Sequence, residues 1–209
     1  LAQQLAPLPA GLRLLDEPAQ LALVEQAAVG SPTRKSPASL LSLLSLRKGQ
    51  HPDYPDRLQR GDLDVTPDEL AVLRRYAASC AEAGLCDLDD LLLRALMAQQ
   101  AGTASRSFRY VAVDEYQDVS AVQRALLLSL GQSARVLAIG DPDQSIYAFR
   151  GGEVRHFLGF LSDFPTAARR YLADNYRSTP QIVSASTAVI AQNPGRSAPP
   201  PVPRRSSPW

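Results

Sequence analysis

Two short apolar runs, Arg109-Tyr110-Val111-Ala112-Val113 and Arg135-Val136-Leu137-Ala138-Ile139, constrain the fold of this 209-residue chain more than any other feature. Each is β-prone along its whole length; the first ends abruptly at the acidic pair Asp114-Glu115 and the second at Gly140-Asp141. Continuous apolar strands belong to buried parallel sheets, whose strands need helical crossovers. Ala121–Leu130, between the two runs, has helical character. A third strand is expected at Arg170-Tyr171-Leu172-Ala173, and helices from about Glu153 to Phe160 and from Thr179-Pro180 to near Gln192. This alternation predicts an α/β domain built on a parallel sheet.

The first hundred residues read as helical. Leu21, Leu23, Val24, Ala27 and Ala28 recur at helical spacing behind Asp16-Glu17-Pro18 and stop at Gly30. Ser36-Pro37 starts a short apolar helix through Leu46, and residues 47–65, with Gly, His, Pro and Asp and little periodicity, are expected to be a loop. Thr66-Pro67-Asp68-Glu69 is a helix start: Thr66 can cap, Pro67 suits the first turn, and Glu69 completes a capping box. Leu70, Leu73, Ala77 and Cys80 then share a face. Asp87-Leu88-Asp89-Asp90 begins another helix, with acidic groups at its positive end and Leu91, Leu92, Leu93 and Leu96 behind them. Pro194–Trp209 carries six prolines and no periodicity, and is expected to be a linker or tail.

Composition removes several classes of protein. An apolar content of 45% with 21% charged residues is close to the globular average, which excludes a wholly disordered chain. No apolar run approaches the roughly 18 residues of a membrane span. Cys80 and Cys86 provide neither a disulfide framework nor a zinc spacing and suit reduced thiols in the cytoplasm. With 22 basic and 21 acidic residues the net charge is +1, so any affinity for nucleic acid has to come from local clusters. The chain begins at Leu1, not Met, without a signal-peptide pattern, and is expected to be cut from something longer.

The chemistry concentrates at the strand ends. An apolar strand delivering Asp114 and Glu115 at its tip is the form of a nucleotide-hydrolysis site: one carboxylate can hold Mg²⁺ and the other can polarise water. An ordinary strand-to-loop junction has the same form. After the next strand, Gly140 to Gly152 packs polar, aromatic, basic and flexible residues together. Gln144 offers both donor and acceptor, suited to sensing a terminal phosphate or the attacking water. Tyr147 and Phe149 share a face in an extended segment and can stack bases, with Arg150 on the adjacent phosphate, or can simply fill a core beneath a turn.

Three ordered segments resemble motifs of the UvrD/Rep-type superfamily 1 DNA helicases: Val113-Asp114-Glu115-Tyr116-Gln117-Asp118, then Gly140-Asp141-Pro142-Asp143-Gln144-Ser145-Ile146-Tyr147 through Arg150-Gly151, then Asn175-Tyr176-Arg177-Ser178-Thr179. Leu85-Cys86-Asp87-Leu88-Asp89-Asp90-Leu91-Leu92 is similar to that family's Asp-Phe-Asp-Asp-Leu-Leu helix, with Leu88 in the aromatic position. The resemblance runs from about Leu14 to Arg196. It implies an incomplete RecA-like P-loop NTPase sheet with an N-terminal all-helical accessory subdomain. The implied division is 1–86 accessory, 87–168 the latter part of the first RecA-like domain, 169–193 the start of the second, and 194–209 linker or tail.

By the same resemblance, Asp114 is the Mg²⁺ ligand, Glu115 the catalytic carboxylate, and Gln144 a γ-phosphate contact that couples nucleotide to DNA. Tyr176 would stack on adenine, and Arg177 would reach the γ-phosphate from the second motor domain. Tyr147, Phe149 and Arg150 would face DNA, with Phe149 standing where many relatives have Trp. The implied ligands are ATP with Mg²⁺, and DNA that is single-stranded or at a junction. The implied activity is 3′→5′ unwinding in replication or repair.

A phosphate-binding loop needs Gly-Lys-Ser/Thr, yet the only two lysines, Lys35 and Lys48, each follow arginine. The isolated chain is therefore expected to lack ATPase activity and to bind ATP and Mg²⁺ weakly if at all. Other readings stand beside a helicase fragment: a non-enzymatic module for single-stranded DNA or a repair partner, an inert remnant, and a helicase subunit of a helicase–nuclease complex. A sheet missing its phosphate-loop strand would expose apolar edges and favour self-association. No membrane association is expected.

Overall fold

The structure, a computed structural model, describes residues 2–6, 11–104, 107–145, 154–192 and 199–205. The chain divides into two compact units, Leu1–Leu158 and Gly159–Trp209.

The first unit opens with helix α1 (Ala2–Leu5), strand β1 (Arg13–Leu14) and helix α2 (Glu17–Ala28), whose first turn is capped by the Asp16 carboxylate. Helix α3 (Pro37–Gln50) starts at the Ser36 cap and runs past the expected end at Leu46. Helix α4 (Tyr54–Arg60) then occupies sequence that aperiodicity had assigned to a loop. Its buried face is only Tyr54 and Leu58, too short a repeat to register as a period. Asp53 accepts from Arg57 Nε at 2.8 Å, and Gly61, at φ +79°, closes the helix in a conformation that suits glycine.

Helix α5 (Pro67–Ala83) has the expected Thr66/Glu69 capping box. Its buried face is Glu69, Val72, Leu73, Tyr76 and Cys80, so Val72 and Tyr76, rather than Leu70 and Ala77, form its centre. Strand β2 (Leu85–Cys86) pairs in parallel with β1 and leads into α6 (Leu88–Gln100), capped by Asp87 with Asp90 returning the bond.

Five helices meet at one buried cation. Lys48 Nζ on α3 lies 2.6 Å from Asp87 Oδ2 and 2.5 Å from Asp90 Oδ1, at the start of α6. Tyr76 of α5 and Gln20 of α2 donate to the same Asp87 oxygen at 2.9 and 3.1 Å. The rings of Tyr76 and Tyr54, the latter on α4, lie 5.5 and 5.9 Å from the ammonium. Burial by itself would raise the Asp87 carboxyl; the Lys48 charge and the hydrogen bonds outweigh it and hold the group below its ordinary range. Burial also opposes the Lys48 charge, and the two carboxylates reverse that, raising the ammonium above its ordinary value.

Strands β3 (Tyr110–Val113) and β4 (Arg135–Ala138) pair in parallel, with Val111 opposite Val136 and Val113 opposite Ala138. Helix α7 (Ala121–Leu130) connects them, as the sequence pattern predicts, and packs on α6 and α3. Val111 is buried, whereas Tyr110, Leu137 and Ile139 are exposed. One face of this pair is therefore open, in contrast to the fully covered sheet expected; its apolar side chains lack a covering element among the described residues. Helix α8 (Val154–Leu158) ends the unit, and His156 Nδ1 lies 3.0 Å from the Val119 carbonyl.

The second unit holds α9 (Phe160–Asp163), β5 (Asp174–Asn175), α10 (Pro180–Ile190) and β6 (Val202–Pro203). The strand expected at Arg170–Ala173 falls instead at Asp174–Asn175, and Leu172 projects into solvent. Its parallel partner is β6, in the segment read as linker. Pro203 is tolerated there because the ladder bonds come from its neighbours: Val202 N donates to Ala173 O and Arg204 N to Asn175 O. The described fold is mixed helix and strand with two-stranded parallel sheets. Among the described residues no helix is long and apolar enough to cross a membrane.

Lys48→Met leaves Asp87 buried without its main cation and should destabilise the first unit by about 3–5 kcal/mol. A urea midpoint unchanged in the variant would refute that role. Because the folded Asp87 carboxyl is held low, its contribution is complete above the unfolded value of about 3.9 and is lost as pH falls through the lower folded value. The urea midpoint of the wild-type chain should therefore fall below about pH 4, and less steeply in Asp87→Asn.

Candidate functional site

The tips of β3 and β4 carry the site. β3 ends at Asp114 and Glu115, both exposed. Glu115 adopts φ +51° and ψ +43°, the one positive φ outside glycine among the described residues. This left-handed residue reverses the chain into a 3-10 turn, Tyr116–Asp118, and buries Tyr116, whose ring centroid lies 6.3 Å from that of Phe157. Tyr116 N donates to Ile139 O at 2.9 Å and Ile139 N to Val113 O at 2.8 Å, locking the two tips side by side. Ser120 and Gln123 then form a capping box that starts α7. Glu115 N also donates to Asp114 Oδ1 at 3.0 Å, so the reversal orients one carboxylate through the backbone of the next residue.

At the β4 tip, Asp141 organises a second 3-10 turn, Pro142–Gln144. Its Oδ1 accepts from Asp143 N at 3.0 Å and its Oδ2 from Gln144 Nε2 at 2.9 Å. The preceding residue has to be glycine. A Cβ on Gly140 would overlap the Gln117 Oε1 atom and stand 3.0 Å from both Phe157 Cε2 and Tyr116 N.

Gln117 is the residue that sequence reasoning passed over. It is 1% exposed and lies between the two tips. Its Nε2 donates to Glu115 Oε2 at 2.7 Å, and its Oε1 accepts from Asp141 N at 3.0 Å. In the sequence Gln117 falls inside the Val113–Asp118 segment, where nothing sets it apart from its neighbours as the residue that joins the tips.

Asp114, Glu115 and Gln144 are thus brought to neighbouring strand ends. Tyr176 and Arg177 lie in the second unit. There the Asn175 side chain accepts from Arg177 N at 3.1 Å and Ser178 N at 2.9 Å, forming a tight turn with the Tyr176 ring exposed. Tyr147, Phe149 and Arg150 lie outside the described residues. Neither lysine is at the strand tips: Lys48 is buried among the helices, and Lys35 pairs with Glu69 at 3.0 Å.

Hard-cation chemistry fits this arrangement in a limited way. Mg²⁺ commonly takes one or two carboxylates and completes its shell with water and phosphate oxygens. The exposed Asp114 carboxylate suits that role, whereas no all-protein cage of three or more His, Cys, Asp or Glu occurs among the described residues.

The described fold and the paired tips define the class: an α/β protein with an acidic, amide-bridged site at the ends of parallel strands. The chain matches the UvrD/REP helicase N-terminal domain over residues 8–165. It is 38% identical over 148 residues to DNA helicase II of Escherichia coli K12, covering 68% of this chain and 21% of that protein. It is 36% identical over 181 residues to ATP-dependent DNA helicase UvrD1 of Mycobacterium tuberculosis H37Rv, covering 78% and 23%. With ATP-dependent DNA helicase PcrA of Leuconostoc citreum the identity is 32% over 163 residues, covering 75% and 22%. The chain therefore belongs to the UvrD/Rep helicase family, and it spans about a fifth of the length of these relatives.

The left-handed backbone at Glu115 has a measurable consequence. Glu115→Gly and Glu115→Ala both remove the Gln117 bond, so their difference isolates the backbone term. The glycine variant should be more stable than the alanine variant by about 1 kcal/mol in chemical denaturation. Equal stabilities would mean that Glu115 is not left-handed in solution.

Proposed function

We propose that this chain supplies the hydrolysis and base-stacking parts of an ATP-dependent 3′→5′ DNA helicase motor. One observation carries the reading: residues from separate segments, Asp114, Glu115 and Gln144, stand at adjacent parallel strand tips and are joined through Gln117 and Asp141. Asp114 would hold Mg²⁺ and Glu115 would take the proton of the attacking water. Gln144 would sense the terminal phosphate. Bound Mg²⁺ would neutralise charge on the transferred phosphoryl group. Tyr176 would stack on adenine, and Arg177 would present a guanidinium to the γ-phosphate. Tyr147, Phe149 and Arg150 would contact single-stranded DNA through stacking and phosphate pairing.

In this reading residues 1–86 are an accessory subdomain, 87–168 part of an incomplete first RecA-like domain, and 169–193, with β6 paired to it from the segment expected as linker, the start of a second. Free buried thiols at Cys80 and Cys86 favour a reducing, cytoplasmic setting. The open face bearing Tyr110, Leu137 and Ile139 favours self-association, which light scattering across a concentration series would detect.

Without a lysine placed to grip the β- and γ-phosphates, the isolated chain should show negligible ATP turnover. DNA-stimulated hydrolysis that disappears in Glu115→Gln would overturn that expectation. Fluorescence anisotropy with labelled single-stranded DNA tests the other half of the reading. Binding should weaken as salt rises, and Phe149→Ala should lose about 1–3 kcal/mol, at least roughly fivefold in Kd. Binding insensitive to both salt and Phe149 would remove the DNA-facing assignment.

A further inference from the structure

We infer that Gln117 is a positioning residue that ties the Glu115 carboxylate to the Asp141–Gln144 turn, so that the two strand tips shift together. This inference rests on the roles proposed above for Glu115 and Gln144. The path is continuous: Glu115 Oε2 accepts from Gln117 Nε2 at 2.7 Å, Gln117 Oε1 accepts from Asp141 N at 3.0 Å, and Asp141 Oδ2 accepts from Gln144 Nε2 at 2.9 Å. Only one covalent residue, Asp141, intervenes between the second and third bonds.

The amide orientation follows from chemistry. Nε2 faces carboxylate oxygens, of Glu115 and, at 3.4 Å, of Asp118, whereas Oε1 faces a backbone N–H. A flipped amide would set oxygen against oxygen and N–H against N–H, so the assignment is unambiguous. The Gln117 carbonyl also accepts from Ser145 Oγ at 3.4 Å, a second tie to the far side of the same turn.

Burial turns these contacts into coupling. At 1% exposure Gln117 has no water to replace a lost partner, and leaving half of a buried amide unsatisfied costs about 1–3 kcal/mol. Gly140 closes the remaining space, since even a Cβ there would overlap Oε1. When Glu115 changes partner or charge, the remaining Gln117 bonds, to Asp118 and to Asp141 N, readjust with it, and the change reaches the Asp141 turn. A glutamine that merely filled space would touch one tip, and its amide ends would not match both sets of partners.

The test uses NMR on the 209-residue chain and needs no nucleotide turnover. Glu115→Gln replaces a charge-assisted hydrogen bond by a neutral one. It should shift the Asp141 amide and the Gln144 side-chain amide signals. In a Gln117→Leu background, which keeps the bulk and removes the bonds, both shifts should be largely lost. Shifts of the same size in both backgrounds, or none in the wild-type chain, would overturn the inference. If Gln117→Leu does not fold, the unmodified chain still decides. A scalar coupling between Asp141 ¹⁵N and Gln117 ¹³Cδ across the hydrogen bond is expected, and its absence overturns the proposal. Failure of the helicase reading looks different, because DNA binding would then be indifferent to Phe149 while the coupling persisted.

Discussion

The first unit depends on the ion pairing of Lys48. An ammonium this deeply buried is tolerable only with compensating charge, and Asp87 and Asp90 supply it from the N-terminus of α6. The same two carboxylates cap that helix, so one cluster satisfies the cation and the orphan backbone donors together. Tyr76 and Gln20 complete the coordination of Asp87 from two further helices. A hydrophobic substitute could fill the volume, but it could not specify which end of α6 meets which turn of α3. Directional bonds from four helices to one carboxylate and its counterion set that register.

At the strand tips the same logic appears with an amide in place of an ion. Glu115 takes a backbone conformation that most residues avoid, and the surroundings enforce it: the Tyr116 N bond to Ile139 O, the buried Tyr116 ring, and the grip of Gln117 on the Glu115 side chain. Strain of this kind persists only where neighbouring contacts over-determine it. Gly140 is the counterpart on the other strand, where the absence of a Cβ makes room for the amide. The exposed carboxylates therefore rest on buried, tightly packed supports.

Much of this was legible in the sequence. The Thr66 and Asp87 helix starts, the α7 crossover and both strands of the β3–β4 pair follow from local chemistry, and the structure contains them. Helix α4 was not legible, because two buried residues make no period. Nor was β5, since Arg170–Ala173 has strand-forming side chains, whereas pairing with Val202–Pro203 places the ladder at Asp174–Asn175. Lys48 shows the limit most plainly. Sequence spacing could say that it does not follow glycine, but only three-dimensional packing places it against Asp87 and Asp90. Gln117 was similarly hidden, because its partners at Glu115 and Asp141 come from two strand ends that sequence alone does not juxtapose.

The two polar centres are joined by a run of packed elements. Asp87 and Asp90 fix the start of α6, α6 packs along α7, and α7 begins at the Ser120 cap two residues after the Gln117 turn. Ser45 and Gly49 of α3, Asp89 and Leu92 of α6, and Asp118 and Ser120 before α7 line a common cleft of about 360 Å³. The Ser45 hydroxyl donates to Asp89 at 2.6 Å across it. Lys48 anchors α3 to the start of α6, and α6 packs along the helix that follows the Glu115 turn.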